Sequence, residues 1–148
     1  MSNQSDDGVT LTKNIIVDSP ATLVFNAISD ENELQKWGPA SQRATLEKRV
    51  GGIVQFVTVR EDTQKTYVIR GKVLEFIPDK KISYTWRVDA QSDYPKTIVT
   101  WTLEPADNNQ TNVTLVHSGI IKEEHKQQAD AGWTYFLNRL ATYCKQDS

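Results

Sequence analysis

The spacing of the apolar residues changes after residue 120, and the change predicts a sheet followed by a long helix. Before this point apolar and polar residues alternate, which is typical of strands with one covered face and one wet face. After it, apolar residues recur every three or four positions, which is typical of an amphipathic helix. They are Ala129, Trp133, Phe136, Leu137, Leu140 and Cys144, with Tyr143 at the edge of the stripe. The economical way to bury this stripe is to pack it on the covered face of the sheet.

Several runs of residues carry the strand pattern. They lie at 9–17, 53–60, 66–77, 82–88, 99–104 and 113–118. Turn sequences occur at 50–52, 78–80 and 107–109, and residues 89–96 are predicted to form a loop. Short connections between successive strands favour antiparallel pairing. The facing of strand 66–77 is left open, because a bulge near Gly71 would exchange its two faces.

Two short helices are predicted directly after the first strand. Ser19 can cap the first helix, and Pro20 suits its first turn. Asp30 and Glu33 form a variant capping box at the start of the second helix. Gly38, which is followed by a proline, is predicted to end that helix in the left-handed conformation. The residues expected to face inward are Leu23, Val24, Ala27, Ile28, Leu34 and Trp37.

The length of 148 residues suits a single domain, predicted over residues 9–148. Residues 1–8 are polar and acidic, and they are predicted to form a flexible tail rather than a signal peptide. A net charge of -2 argues against a nucleic-acid partner, because phosphate binding needs a concentrated positive field. No stretch approaches the roughly 18 apolar residues that a membrane span requires. With a single cysteine, which allows no internal disulfide, a cytoplasmic location is expected.

A series of short motifs, taken in order, resembles a known family. The motifs are Ser19-Pro20-Ala21, Leu34-Gln35-Lys36-Trp37, Gly51-Gly52, Gly71-Lys72-Val73-Leu74-Glu75, Ile82-Ser83-Tyr84-Thr85-Trp86, His117-Ser118-Gly119 and Gly132-Trp133. Together they resemble the START-related helix-grip superfamily, also called SRPBCC or Bet v 1-like. Within it, the chain is most similar to proteins related to the activator of heat shock protein 90 ATPase. The family often has two adjacent tryptophans after the second helix, whereas Gly38 follows Trp37 here.

The resemblance implies an α+β helix-grip fold. A seven-stranded curved antiparallel sheet wraps around a long C-terminal helix, two short helices follow the first strand, and a cavity lies between sheet and helix. The residues predicted to line that cavity are Trp37, Phe56, Val73, Glu75, Tyr84, Trp86, Trp101, Leu115, His117, Trp133, Phe136 and Leu137.

Each candidate also has a structural interpretation. The tryptophans Trp86, Trp101 and Trp133 either form the aromatic walls of a ligand site or simply fill the core, and their indole N–H groups need partners in both cases. His117 can hydrogen-bond a ligand carbonyl or carboxylate, or pair with the backbone at the sheet edge. If Glu75 points inward, it becomes a candidate acid or base. His125 is expected to be exposed. At Gly132, the helix is expected to approach the sheet or a ligand closely.

The expected function is the binding of a small lipophilic or amphipathic molecule without catalysis. The sequence lacks a nucleophile elbow, a phosphate-binding glycine loop and a dinucleotide fingerprint, and its two histidines and one cysteine do not form a classical zinc site. No cofactor or metal is therefore expected. Two alternatives remain open: a chaperone-interacting domain, and a cyclase or dehydratase-type enzyme that uses Glu75, His117 or Tyr84 on an apolar substrate. Both a monomer and a homodimer fit the sequence.

Overall fold

A computed structural model describes residues 9–38, 40, 42–59, 64–89 and 96–147 of the chain, without the side chains of residues 146 and 147. The predicted tail at 1–8 and most of the predicted loop at 89–96 lie outside the described residues. The strands are β1 (Val9–Val17), β2 (Arg43–Leu46), β3 (Ile53–Val59), β4 (Thr66–Ile77), β5 (Lys81–Val88), β6 (Thr97–Ala106) and β7 (Gln110–Ile120). The helices are α1 (Ala21–Ser29), α2 (Glu31–Trp37) and α3 (Glu123–Asp147), and a 3-10 turn (Asp107–Asn109) joins β6 to β7.

The seven strands form one antiparallel sheet in the order β1-β7-β6-β5-β4-β3-β2. Strands β2 to β7 are a meander, and β1 closes the order by pairing with β7. This architecture, with two short helices after the first strand and a long final helix, confirms the predicted helix-grip fold. The four-residue strand β2 was not found from residue spacing, and only the resemblance implied seven strands.

The final helix α3 packs on the covered face of the sheet, as the spacing of its apolar residues predicted. Its backbone lies nearer to β1 than to any other described strand. Lys13 on β1 forms an ion pair with Asp130 of α3 along this contact. The buried residues of the helix include Trp133, Leu137, Leu140 and Cys144.

The structure corrects three predictions about α1 and α2. Ser19 does not cap α1, because the helix starts one residue later, with Pro20 in the cap position and no side-chain hydrogen bond there. Leu23 is 43% exposed rather than part of the buried stripe. Phe25 is buried in its place and packs against the ring of Phe76. Gly38 ends α2 with an extended backbone rather than a left-handed one, whereas Asp30 caps α2 as predicted.

Candidate ligand-binding site

An aromatic cluster occupies the space between α3 and the middle of the sheet. Trp86 on β5 and Trp101 on β6 point toward the helix, and the ring of Trp133 on α3 lies 5.1 Å and 5.8 Å from theirs. Phe56 and Tyr84 extend the cluster toward β3. We define the interior cluster as Phe56, Tyr84, Trp86, Trp101, His117 and Trp133.

The structure brings most of the predicted lining residues to this side of the sheet. Trp37 contacts Trp101 edge to face from α2, and Phe136 is half-buried next to Trp133. The other buried members of the predicted set are Val73, Leu115 and Leu137. That these residues contact a ligand stays a prediction.

Glu75 is the exception, and the prediction that it faces the interior is wrong. Val73 pairs with Tyr84, but Glu75 pairs with Ser83, so the register of β4 shifts by one residue between them. A one-residue shift exchanges the two faces of a strand. The Glu75 side chain is therefore exposed, and its carboxylate lies 3.0 Å from the Lys81 ammonium group. Glu75 and His117 do not come together, which removes the acid–base pair suggested for an enzyme.

The indole N–H groups of three tryptophans have partners inside the protein. Trp37 donates to the Ala27 carbonyl at 2.8 Å, and Trp101 donates to the Tyr84 hydroxyl at 3.0 Å. Trp133 donates to Nδ1 of His117, also at 3.0 Å. Core packing therefore accounts for these rings in the structure as it stands.

The hydrogen bonds around His117 determine which ring nitrogen carries the proton. The Thr97 hydroxyl donates its single proton to the Trp86 carbonyl at 3.0 Å. It must therefore accept from Nε2 of His117, which lies 2.6 Å away. Nδ1 must accept from Trp133, because an indole nitrogen only donates. His117 is consequently the neutral tautomer with its proton on Nε2.

Burial keeps both titratable groups of the interior cluster neutral. It lowers the pKa of His117 to about 4, because the charged imidazolium loses its hydration. It raises the pKa of Tyr84 well above the usual range, and the hydrogen bond from Trp101 opposes this only in part. Among the described residues, no acceptor takes the proton of the Tyr84 hydroxyl.

Side chains of α3 hold α2 in place at one end of this cluster. Arg139 donates from Nε to the Trp37 carbonyl at 2.8 Å and from Nη2 to the Lys36 carbonyl at 3.1 Å. The Tyr143 hydroxyl donates to the Glu33 carboxylate. Because these carbonyls end α2, the arginine fixes the helix that carries Trp37.

Sequence reasoning missed Thr97 and Arg139 and misjudged two other residues. Thr97 pairs directly with Trp86 across β5 and β6, so a correct strand register would have pointed to it. His125 was expected to be exposed and is buried. Gly132 was expected at a close contact, but a Cβ atom there would meet nothing within 4 Å.

An open pocket of about 350 Å³ lies apart from the interior cluster. It sits between α1 and the turn after β4, and the residues lining it include Leu23, Phe25, Phe76 and Lys48. None of these residues was predicted to bind a ligand. Within the described part of the chain, no group of three potential metal ligands is found, and no helix is both long and apolar enough to cross a bilayer.

The chain resembles one known protein family in sequence and several solved structures in fold. The family described as "Activator of Hsp90 ATPase homolog 1-like protein" matches residues 18–145. A protein from Chromobacterium violaceum is 26% identical, with 91% of this chain and 96% of that chain covered and a TM-score of 0.82. A protein from Mesorhizobium loti is 21% identical, with coverages of 95% and 99% and a TM-score of 0.79. An HSP90 activator from Plasmodium falciparum is 20% identical, with coverages of 92% and 96% and a TM-score of 0.73. No curated protein sequence matches significantly.

Proposed function

We propose, since the chain belongs to the Activator of Hsp90 ATPase homolog 1-like family, that it binds a small lipophilic or amphipathic molecule between its sheet and α3. Binding is proposed without catalysis. The ligand would enter the interior cluster, where it would be surrounded by aromatic rings and a few polar atoms, the usual composition of a small-molecule site.

The observation that carries this proposal is the hydroxyl group of Tyr84. Its oxygen accepts from Trp101, but no described residue accepts its proton, although the side chain is 2% exposed. A buried donor without an acceptor costs roughly 1–3 kcal/mol. An acceptor atom on a ligand would remove this cost, so Tyr84 supplies a reason for binding as well as a contact.

The placement of α3 supports the same proposal. Its backbone runs closest to β1, at one edge of the sheet, so large rings bridge the wider space over β3 to β6. The rings meet in tilted, edge-to-face and stacked contacts with centroids 5.1–6.4 Å apart. Rotation of one or two of these side chains would open a space for an apolar ligand.

Native mass spectrometry of freshly purified protein tests the proposal. We expect a retained molecule, and we expect Tyr84→Phe to retain less of it. Tyr135→Phe, which also removes one hydroxyl but at an exposed position, and which keeps the ring contacts with Phe136 and Arg139, is the matched control. In parallel, 1-decanol, decanoic acid and 4-butylphenol should raise the unfolding temperature. A ligand that binds only the folded protein increases its unfolding free energy by about 2.7 kcal/mol at roughly 100 times the Kd. A protein that carries no ligand and is stabilised by none of these compounds contradicts the proposal.

A chaperone partner is the second candidate function. It is favoured by the family to which the chain belongs and by the shared fold of the Plasmodium falciparum HSP90 activator. Pull-down of the purified protein with an Hsp90 chaperone, with and without ATP, tests it. Failure to retain the chaperone under both conditions would count against this function and leave ligand binding unaffected.

A further inference from the structure

A hydrogen bond between Trp133 of α3 and His117 of β7 links the helix to the interior cluster. The indole N–H of the helix meets Nδ1 of the imidazole on β7 at 3.0 Å. Both side chains are almost fully buried, at 4% and 1% exposure. A ligand that inserts between Trp133 and β7 breaks this bond, and both atoms then need new partners, because buried polar atoms left without partners are costly.

The two atoms make different demands on that ligand. Nδ1 can only accept, because Thr97 and the Trp86 carbonyl hold the imidazole proton on Nε2. The indole nitrogen can only donate. A hydroxyl group meets both demands, since it has a proton to donate to Nδ1 and lone pairs to accept from the indole.

Resting on the proposed ligand-binding function, we infer that the interior under α3 selects apolar molecules that carry a neutral hydroxyl, of the alcohol or phenol class. The hydroxyl replaces the indole of Trp133 as the donor to His117 Nδ1 and accepts the indole N–H in return. This differs from the carbonyl or carboxylate partner expected from the sequence, because neither group can donate to Nδ1.

A carboxylate would be bound only together with a proton. The described residues that contact His117 or pair with it across the strands include Thr97, Leu11, Val99, Trp86 and Trp133, and none of these carries a charge. The acid must therefore enter in its protonated form, or a proton must first be placed on Nδ1. Either route takes up one proton for each ligand bound. The affinity of a carboxylate then falls about tenfold for each pH unit above its pKa, whereas the affinity of a hydroxyl compound stays constant.

Three compounds of matched shape separate these cases: 4-butylphenol, 4-butylbenzoic acid and butylbenzene. Their dissociation constants are measured by calorimetry on the full chain at about pH 6, 7 and 8, where His117 remains neutral. We expect 4-butylphenol to bind with a constant Kd and roughly thirtyfold more tightly than butylbenzene, the value of two net hydrogen bonds of about 1 kcal/mol each. We expect the Kd of 4-butylbenzoic acid to rise about tenfold per pH unit.

Substitutions at His117 connect the selectivity to this residue. Glutamine can accept from Trp133 and donate to Thr97, so His117→Gln should keep the preference for the phenol, while His117→Phe should abolish it. The ¹⁵N signal of the Trp133 indole should also move when 4-butylphenol binds to the unsubstituted protein. That measurement, together with the Kd values, tests the inference even if a variant does not fold.

The outcomes distinguish this inference from the function on which it rests. If butylbenzene or 4-butylbenzoic acid binds as tightly as the phenol with no dependence on pH, ligand binding stands and the selection of hydroxyl compounds is overturned. If none of the three compounds binds and no ligand is retained on purification, both proposals fail.

Discussion

The residues of the interior cluster show that a buried polar atom is stable when a specific partner lies opposite it. Thr97 is the clearest case, because one hydroxyl accepts from His117 and donates to the Trp86 carbonyl. The small side chain thereby sets the tautomer of His117 and, through it, the acceptor presented to Trp133. A threonine at the start of β6 therefore contributes to the chemistry of the site through His117.

Replacing Thr97 with valine is expected to cost about 1–3 kcal/mol of unfolding free energy, because the shape is kept while the imidazole Nε2–H loses its acceptor. Denaturant unfolding measures this loss, and ¹⁵N spectra of His117 should show a mixture of tautomers. Thr102→Val, on the same strand but half-buried and without a hydrogen bond of its own side chain among the described residues, is the control and should change stability by less than about 0.5 kcal/mol. Equal effects of the two substitutions would contradict the assignment of Thr97.

Two glycines should respond to alanine in opposite directions. At Gly132 a Cβ atom meets nothing within 4 Å, so alanine should stabilise α3 by about 1 kcal/mol through its higher helix propensity. At Gly71 the Cβ atom would lie 1.8 Å from the Thr85 carbonyl oxygen, so alanine must displace a strand and should cost at least about 1–3 kcal/mol. Urea unfolding of both variants measures the difference. If Gly132→Ala lost stability instead, the helix would have to approach a neighbour closely at this position, as the sequence suggested.

At the scale of elements, one arginine contributes two hydrogen bonds to the attachment of α2 to α3. Arg139 donates to the last two carbonyls of α2, which have no partners within their own helix. Its positive charge also lies at the negative end of that helix, a favourable position. This contact orders the segment that carries Trp37 into the core.

Arg139→Ala is expected to lower the unfolding free energy by about 1 kcal/mol and to speed hydrogen exchange in α2 more than in the sheet. Asn138→Ala, one position earlier on the exposed face of α3, is the control, because it changes helix propensity without removing a contact to α2. Uniform acceleration of exchange across the sheet and α2 would indicate general destabilisation and would contradict a local role for Arg139.

The elements also show how far residue spacing can predict this fold. Residue spacing located six of the seven strands, four of them to within one residue at each end, and three-to-four spacing located the buried stripe of α3. The strand β2 escaped because four residues are too few to show a period. A bulge in β4 was anticipated, but its position stayed open, because an extra residue in a strand changes its facing without changing its composition.

The candidate site was predictable in outline, because large aromatic residues on the covered face can hardly lie elsewhere in a chain of this size. Its polar contacts were not. Thr97 and His117 are twenty positions apart, and only the pairing of β6 with β7 and of β5 with β6 brings them to Trp86. The same holds for Arg139, whose partners lie more than a hundred positions earlier in the chain.

For the whole molecule, the neutral His117 couples the docking of α3 on the sheet to pH. In the folded protein burial lowers the pKa of this histidine from 6.5 to about 4. The unfolded chain therefore binds the proton more readily than the folded chain does between these two values. Stability from the neutral imidazole is complete above about pH 6.5, is lost as the pH falls toward 4, and does not decrease further below that.

We therefore expect the unfolding free energy of the protein to fall by about 3 kcal/mol more than that of His117→Gln between about pH 7 and pH 4. Glutamine preserves both hydrogen bonds but cannot be protonated in this range, so the comparison isolates the contribution of His117. Urea unfolding at a series of pH values measures both curves. Because the imidazolium turns a second N–H toward the indole of Trp133, loss of stability should coincide with increased exposure of Trp133, visible in its indole ¹⁵N–¹H signal. Parallel curves for the two proteins would mean that His117 binds its proton as readily in the folded chain as in the unfolded one, and the buried neutral tautomer would have to be abandoned.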